Sequence, residues 1–177
     1  MSASPELHVR SFQPEDAETF WALRLRAVRE HPEAFMVSYE EDSAVPLEQV
    51  RTRLAAQSPA SQLILGAFLE GRLVGMVGLA REPLLKIAHR AHIWGMYVVP
   101  EVRGRGVGRR MLEEAIAAAR NMAGVEQLHL SVLEGNGAAS ALYDAMGFQS
   151  YGVVKRSLRV GDRYYDEDLR VLTLQES

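Results

Sequence analysis

The segment from Val98 to Arg109 joins the end of an apolar stretch to the start of an alanine-rich one through three glycines at alternate positions. Glycine permits left-handed backbone angles and close approach of a ligand, and the first amides of a helix are donors at the positive end of its dipole. Four arginines lie among or directly after the glycines: Arg103, Arg105, Arg109 and Arg110. The segment therefore predicts a strand, a tight turn and a helix whose first turn binds a phosphate. A plain surface turn is the alternative, but such a turn needs only one or two glycines.

Composition narrows the ligand of this basic turn. The chain has 177 residues, of which 47% are hydrophobic and 24% charged, as is usual for one globular domain spanning residues 1–177. The net charge of -3 provides no overall basic field for nucleic acid, so we expect a small polyanion and no nucleic-acid partner.

The sequence disfavours disulfides, metal sites and membrane association. Cysteine is absent, which excludes disulfides, thiolate metal sites and an acyl-cysteine intermediate. The five histidines are scattered without carboxylates at ligand spacing, so no metal site is predicted. No apolar signal core and no run of about 20 apolar residues occurs, so we expect a cytoplasmic protein without a membrane partner.

Apolar periodicity and turn residues predict the element order β-α-α-β-β-β-α-β-α-β-β, a mixed sheet with helices on both faces. Gly95 interrupts its strand and predicts either a bulge or a close approach of backbone. Gly124 and Gly147 predict helix ends, and Gly161 with Asp162 predicts a hairpin turn. The predicted strands are residues 7–10, 62–70, 73–81, 89–99, 128–133, 148–160 and 163–174, and the helices are residues 14–30, a short segment from 46, 106–123 and 137–146.

Residues 30–48 contain six acidic side chains and no Lys or Arg. Such a run is usually a solvated face, but it could also attract a cationic substrate. The carboxylates at 40–42 favour a cationic ligand, such as a polyamine, an aminoglycoside, a lysine or an N-terminal amine, while small amino acids and toxic analogues remain open.

Two motifs in the chain resemble those of the GNAT superfamily of acetyl-CoA-dependent N-acetyltransferases. Residues 103–108 (RGRGVG) match R/Q-x-x-G-x-G/A, and residues 136–148 (NGAASALYDAMGF) resemble N-x-x-A-x-x-L-Y-x-x-x-G-F. The resemblance implies an α/β (α+β) GNAT fold with a mostly antiparallel sheet of about seven strands and four helices. It also implies a splayed strand pair that holds the arm of coenzyme A.

The resemblance implies that acetyl-CoA is the co-substrate and assigns residues to it. The pyrophosphate would meet the glycine amides and the Arg109 guanidinium, and the pantetheine arm would lie along the strand that ends at Val99. The predicted cofactor-binding residues are Val98, Val99, Arg103, Gly104, Arg105, Gly106, Val107, Gly108, Arg109, Asn136 and Tyr143.

Three residues are catalytic candidates. The Val98 amide would stabilise the tetrahedral oxyanion. By resemblance, Tyr143 hydrogen-bonds or protonates the leaving thiolate; the higher pKa of a phenol favours a hydrogen bond unless the site lowers it. The predicted strand 89–99 lacks a carboxylate for a general base, which leaves His92, the less favoured His129, or water.

The predicted acceptor pocket combines Phe35 and Tyr39 with Trp94 and Met96 and with the terminal hairpin near Tyr164 and Tyr165. The expected reaction is direct attack of an amine on acetyl-CoA in a ternary complex. Two alternatives stay open: a non-catalytic acyl-CoA-binding regulatory module, and an enzyme that acetylates protein N-termini or lysines rather than small molecules. The resemblance also implies a possible homodimer.

Overall fold

The computed structural model describes residues 6–174, which form seven strands and five α-helices around one mixed sheet. The strands are β1 (Leu7–Ser11), β2 (Gln62–Leu69), β3 (Arg72–Arg81), β4 (Arg90–Val98), β5 (Gln127–Leu133), β6 (Gln149–Val160) and β7 (Arg163–Thr173). The helices are α1 (Ala17–Glu30), α2 (Tyr39–Ser43), α3 (Leu47–Ala55), α4 (Val107–Asn121) and α5 (Gly137–Ala145). The predicted mixed sheet of seven strands is confirmed.

The strand order is β1-β2-β3-β4-β5-β7-β6, and neighbours are antiparallel except at the centre. There, β4 and β5 run parallel and are connected through α4. They pair only where Arg90–His92 meets Gln127–His129, and then diverge. A gap therefore opens in the sheet beside the second half of β4, as the resemblance implied for the splayed pair.

Helices α1 and α4 cover opposite faces of the sheet. A Cβ on Gly75 of β3 would lie 2.8 Å from Sδ of Met111 on α4, whereas one on Gly66 of β2 would meet the ring of Phe12. Phe12 packs on Phe20 of α1 with 4.7 Å between ring centroids. Gly66 pairs with Met76, so these two residues share one face of the sheet. Gly75 precedes Met76 and points to the opposite face, which places α1 and α4 on opposite sides of the sheet.

The number of helices predicted from sequence was too low by one. The fifth helix, α2, lies within the acidic run and begins with a capping box that periodicity does not reveal. Ser38 Oγ accepts from the Glu41 amide at 3.2 Å, and a Glu41 carboxylate oxygen accepts from the Ser38 amide at 2.8 Å.

Two helix boundaries also differ from the prediction. The chain forms a 3-10 turn at Pro14–Asp16 before α1 begins, because the Asp16 carboxylate accepts the Gln13 amide at 2.7 Å. Helix α4 ends at Asn121, since Met122 is extended and Gly124 takes a φ of +74° in the following turn.

The bulge predicted at Gly95 is present. Met76 pairs with Tyr97 and Gly78 with Trp94, so Gly95 and Met96 together oppose a single residue of β3. Gly95 has a φ of +61°. The bulge and the divergence of β5 both occur along the second half of β4, where the strand borders the functional site.

Close packing of Trp94 on Gly78 predicts that a methyl group at position 78 destabilises the fold. A Cβ there would lie 2.1 Å from the indole ring, so the ring would have to move. We expect Gly78→Ala to lower the free energy of unfolding by about 1–3 kcal/mol in denaturant titrations. Gly152→Ala on β6 is the control, because its Cβ would meet nothing within 4 Å. Equal stability of the two variants would contradict the packing described.

Candidate active site

Two cavities lie on either side of the gap between β4 and β5. The loop cleft, of about 600 Å³, is lined by the glycine turn, the end of β4 and helix α5. The sheet cavity, of about 680 Å³, is lined by β4, β5, β7 and the segment after α1. The residues lining both cavities are Ala34, Phe35, Met96, Leu133, Asn136, Ala139 and Tyr143, and we call them the junction. A molecule in each cavity would meet the other at the junction.

The glycine turn is built as the sequence predicts. Gly104 and Gly106 have φ values of +75° and +80°, and Gly106 is the N-cap of α4. A Cβ on either residue would meet nothing within 4 Å, so the open space beside them belongs to the cleft. Gly108 lies inside the first helical turn against Leu142. The turn therefore presents amides of a helix N-terminus to a space that side chains leave empty.

The predicted arginines have different environments. Arg103 Nε donates to the Val98 carbonyl at 2.9 Å, so its guanidinium turns back onto the end of β4. Arg109 lines the loop cleft, and its Nε donates to Glu113 one helical turn further on at 3.1 Å. Arg105 is exposed and does not line either cavity.

Backbone direction distinguishes Val98 from Val99. The Val99 amide donates to Val74 of β3 at 2.9 Å, and the Val99 side chain is buried outside both cavities. Because amides alternate along a strand, the Val98 amide points away from β3 and toward the gap. Val98 and Val107 line the loop cleft.

Asn136 and Tyr143 come from the two ends of helix α5. Asn136 is its N-cap, and Oδ1 accepts from the Ala139 amide at 3.2 Å. The Tyr143 side chain is 7% exposed, and its hydroxyl lies 3.6 Å from Sδ of Met96. Burial raises the pKa of Tyr143 to about 12, although the positive charge of Arg170 opposes the effect. The site thus does not lower this pKa, and the phenol keeps its proton at neutral pH.

The raised pKa of Tyr143 predicts a loss of stability at alkaline pH. Between pH 10 and 12 the unfolded chain releases this proton while the folded protein keeps it, so stability falls as pH rises. We expect this tyrosine to lower the free energy of unfolding by about 1–1.5 kcal/mol between pH 9 and pH 11, roughly half of its full effect, and Tyr143→Phe to remove that part of the pH dependence. Denaturant titrations at pH 9 and 11 measure it, with Tyr164→Phe on an exposed side chain as the control. Identical pH dependence in wild type and Tyr143→Phe would contradict the burial effect.

Three predicted acceptor-pocket residues line the sheet cavity and two do not. Phe35, Trp94 and Met96 are part of its wall. Tyr39 instead packs beneath the Arg29 guanidinium, 4.2 Å from its ring centroid, and Tyr165 packs beside Arg163 at 5.0 Å. Neither tyrosine lines a cavity, and neither does Tyr164.

Two of the three acidic side chains at 40–42 have partners within the fold, and none of the three lines the two cavities. Asp42 is buried and pairs with Arg24 at 2.8 Å, and Glu41 forms the capping box of α2. Glu40, like these two, is not part of either cavity wall. The carboxylates at 40–42 therefore do not reach either cavity and do not favour a cationic acceptor there.

His92 lines the end of the sheet cavity where β4 and β5 still pair, beside His129. Its Nδ1 lies 3.1 Å from a carboxylate oxygen of Glu82. It lies four positions before Met96 of the junction, a separation of at most roughly 13 Å along an extended chain. This separation places His92 away from the junction rather than beside it.

The comparison with known families agrees with this arrangement. The model of the Acetyltransferase (GNAT) family matches residues 6–148, most of the chain. The chain belongs to the GNAT family. The fold agrees with that of the YncA acetyltransferase of Salmonella typhimurium, solved with its cofactor acetyl-CoA, at a TM-score of 0.83 and 20% identity over 97% of this chain and 95% of that one.

Two curated relatives carry different names within this GNAT family. N-alpha-acetyltransferase RimI of Mycobacterium tuberculosis is 42% identical over 98 residues, 54% of this chain and 57% of the relative. Mycothiol acetyltransferase of Thermobispora bispora is 34% identical over 160 residues, 85% of this chain and 50% of the relative. The chain thus spans about half the length of the curated relatives it matches.

Sequence reasoning missed one group of polar residues in this GNAT chain. Glu167 of β7 lines the sheet cavity, and one of its oxygens accepts from Ser131 Oγ of β5 at 2.9 Å. The alternation of β7, which directs residues 165, 167 and 169 to one face, could have placed Glu167 with Leu169. No sequence signal shows that this face borders the cavity.

Within residues 6–174, no cluster of three or more His, Cys, Asp or Glu residues has the arrangement of a metal site. No helix in the same part of the chain is both long and apolar enough to cross a membrane.

Proposed function

We propose that this protein is an acetyl-CoA-dependent N-acetyltransferase, in which an amine attacks the thioester directly while both substrates are bound. The observation that carries the proposal is the junction, where the loop cleft and the sheet cavity share Met96 and Tyr143. A donor in one cavity and an acceptor in the other would place their reacting groups together, which lowers the entropic cost of the reaction.

The loop cleft suits coenzyme A. Its left-handed glycines leave open space at the N-terminus of α4, where pyrophosphate oxygens would accept hydrogen bonds from backbone amides. The gap beside β4 leaves strand-like backbone groups that can pair with the pantetheine arm. Arg109 adds positive charge at the cleft, and the Asn136 side chain borders the arm from α5.

The junction supplies the groups that the chemistry needs. The neutral amine nitrogen forms a bond to the acetyl carbon and gives up a proton to water, the carbon–sulfur bond breaks, and the leaving thiolate takes a proton from water to become the thiol of coenzyme A. The Val98 amide donates to the oxyanion that develops on the carbonyl oxygen. Tyr143 stabilises the leaving sulfur by a hydrogen bond, because full proton transfer from a phenol of pKa about 12 to a thiolate would cost roughly 5 kcal/mol.

The assay includes both small-molecule amines and peptide N-termini as acceptors. One relative is named an N-alpha-acetyltransferase and the other a mycothiol acetyltransferase. A thiol-release assay with acetyl-CoA would use polyamines, amino acids, amino sugars and peptides with free N-termini. We expect release that depends on one class of amine. Tight acetyl-CoA binding without release in any mixture, including protein extracts, would instead support a non-catalytic acyl-CoA-binding module.

A further inference from the structure

Glu167 contributes a negative charge to a wall of the sheet cavity that otherwise lacks one. Within residues 6–174 it is the one carboxylate that lines this cavity. The other charged side chains that line the same cavity are those of Arg24 and Arg53, and two histidines, His92 and His129, line it as well. A single carboxylate in such a wall decides where a cation would bind.

Two hydroxyl groups hold this carboxylate in one orientation. Ser131 Oγ of β5 donates to Oε1 at 2.9 Å, and Ser157 Oγ of β6 donates to Oε2. A carboxylate offers about four lone-pair positions, so both oxygens keep capacity to accept another donor. Three strands thus position Glu167 without using all of its hydrogen-bonding capacity.

The charge of Glu167 is not balanced by a neighbouring cation. Nearby acidic residues are paired: Asp166 with Lys155 at 2.9 Å, and Asp168 with Arg170 at 2.8 Å. Within residues 6–174, no Lys, Arg or His lies within ion-pair distance of Glu167. A half-buried carboxylate gains more from an ionic partner than an exposed one, and here a ligand could supply that partner.

The position of Glu167 relates it to the junction. It pairs directly with Leu133 across β7 and β5, and paired residues share a face with Cβ atoms about 5 Å apart. Leu133 lines both cavities, as does Tyr143. A cationic group bound at Glu167 therefore lies next to the place where the two cavities meet.

We propose that Glu167, oriented by Ser131 and Ser157, binds the protonated amine of the acceptor and selects substrates that arrive as ammonium ions. The bound ammonium releases one proton to water before its nitrogen attacks the thioester. This inference rests on the proposed acetyltransferase function and adds that the acceptor binds as a cation. The acidic run at 40–42 plays no part in it. Acetylation removes the positive charge, so the neutral amide product loses this interaction and leaves more readily than the substrate.

The test compares steady-state kinetics of wild type and Glu167→Gln with the best amine from the thiol-release panel. Glutamine keeps the size and one hydrogen-bond acceptor but removes the charge. We expect KM for the amine to rise about 10- to 100-fold, with KM for acetyl-CoA changed less than about 3-fold. Glu167→Asp keeps the charge and should recover part of the loss. Asp162→Asn in the exposed hairpin turn is the control for loss of one negative charge.

The outcomes separate the two proposals. No thiol release by wild type with any amine would overturn the acetyltransferase function itself. If wild type is active, an unchanged amine KM in a folded Glu167→Gln protein would overturn the role of Glu167 alone. A fall in kcat without a rise in the amine KM would also overturn the role of Glu167. So would a rise in the amine KM that Glu167→Asp does not reduce, provided that both variants melt like wild type. Thermal unfolding of each variant identifies a merely structural effect of the Ser131–Glu167–Ser157 contacts.

Discussion

Replacement of Tyr143 by phenylalanine should lower kcat about 100-fold while leaving acetyl-CoA affinity within about 3-fold of wild type. The hydroxyl lies at the junction with Sδ of Met96 as its contact at 3.6 Å, so its removal breaks no strong hydrogen bond. The ring would still pack against Phe148, with centroids 5.8 Å apart. The loss therefore measures the stabilisation of the leaving sulfur, and thiol-release kinetics with a calorimetric titration of acetyl-CoA separate kcat from binding.

Tyr39→Phe is the matched control for this substitution. Tyr39 contacts Arg29 through its hydroxyl and lines neither cavity, so its variant should retain kcat within about 2-fold. Tyr143→Phe with full turnover would rule out the proposed role of the hydroxyl. A tight-binding Tyr143→Phe protein with low turnover would support it and would also argue against a module that only binds acyl-CoA.

Substitution of Gly106 by alanine should weaken acetyl-CoA binding about 10- to 100-fold. Gly106 has a φ of +80°, which costs alanine about 1–2 kcal/mol, and its Cβ would project into the open part of the loop cleft. A methyl group there would occupy space next to the helix amides that we assign to the pyrophosphate. A direct titration with acetyl-CoA measures the affinity, and denaturant unfolding measures the strain.

Gly161→Ala controls for the backbone strain at a matched position. Gly161 is also left-handed, with a φ of +59°, and a methyl group on it would meet no atom within 4 Å, but it lies in the hairpin turn away from both cavities. We expect both variants to lose similar stability and only Gly106→Ala to lose affinity. Equal affinity of the two variants would show that the turn does not bind the nucleotide end of coenzyme A.

Local patterns predicted the elements that carry the donor side of the site. The alternate glycines at 104–108 indicated both the turn and the start of α4, because left-handed angles and helix initiation depend on a few adjacent residues. Asn136 and Tyr143 were identified through the resemblance of residues 136–148 to the second GNAT motif, and their spacing of seven residues along one helix fixes their relative positions. The capping box of α2, also a local signal, was present in the sequence and was missed.

The acceptor side was predicted less well because its wall comes from segments far apart in the chain. Tyr39 and Tyr165 were expected in the pocket, but each packs under an arginine that sequence spacing does not single out. Asp42 carries a carboxylate of the kind that binds cations, but Arg24 on α1 forms an ion pair with it. Glu167 lies in the terminal hairpin expected near the pocket but was assigned no role, because its place in the cavity depends on its register with β5.

By itself, the sequence determined the order of strands and helices, the glycine turn and helix α5 with Asn136 and Tyr143, because these depend on contacts between near neighbours. The resemblance implied a splayed strand pair, but only the tertiary structure placed the separation of β4 and β5 after His92 and His129, where two cavities meet at Tyr143. It also decided which charged side chains are paired within the fold and which face a cavity. Ion pairs and cavity walls join residues distant in sequence, and only the packed sheet brings those residues together.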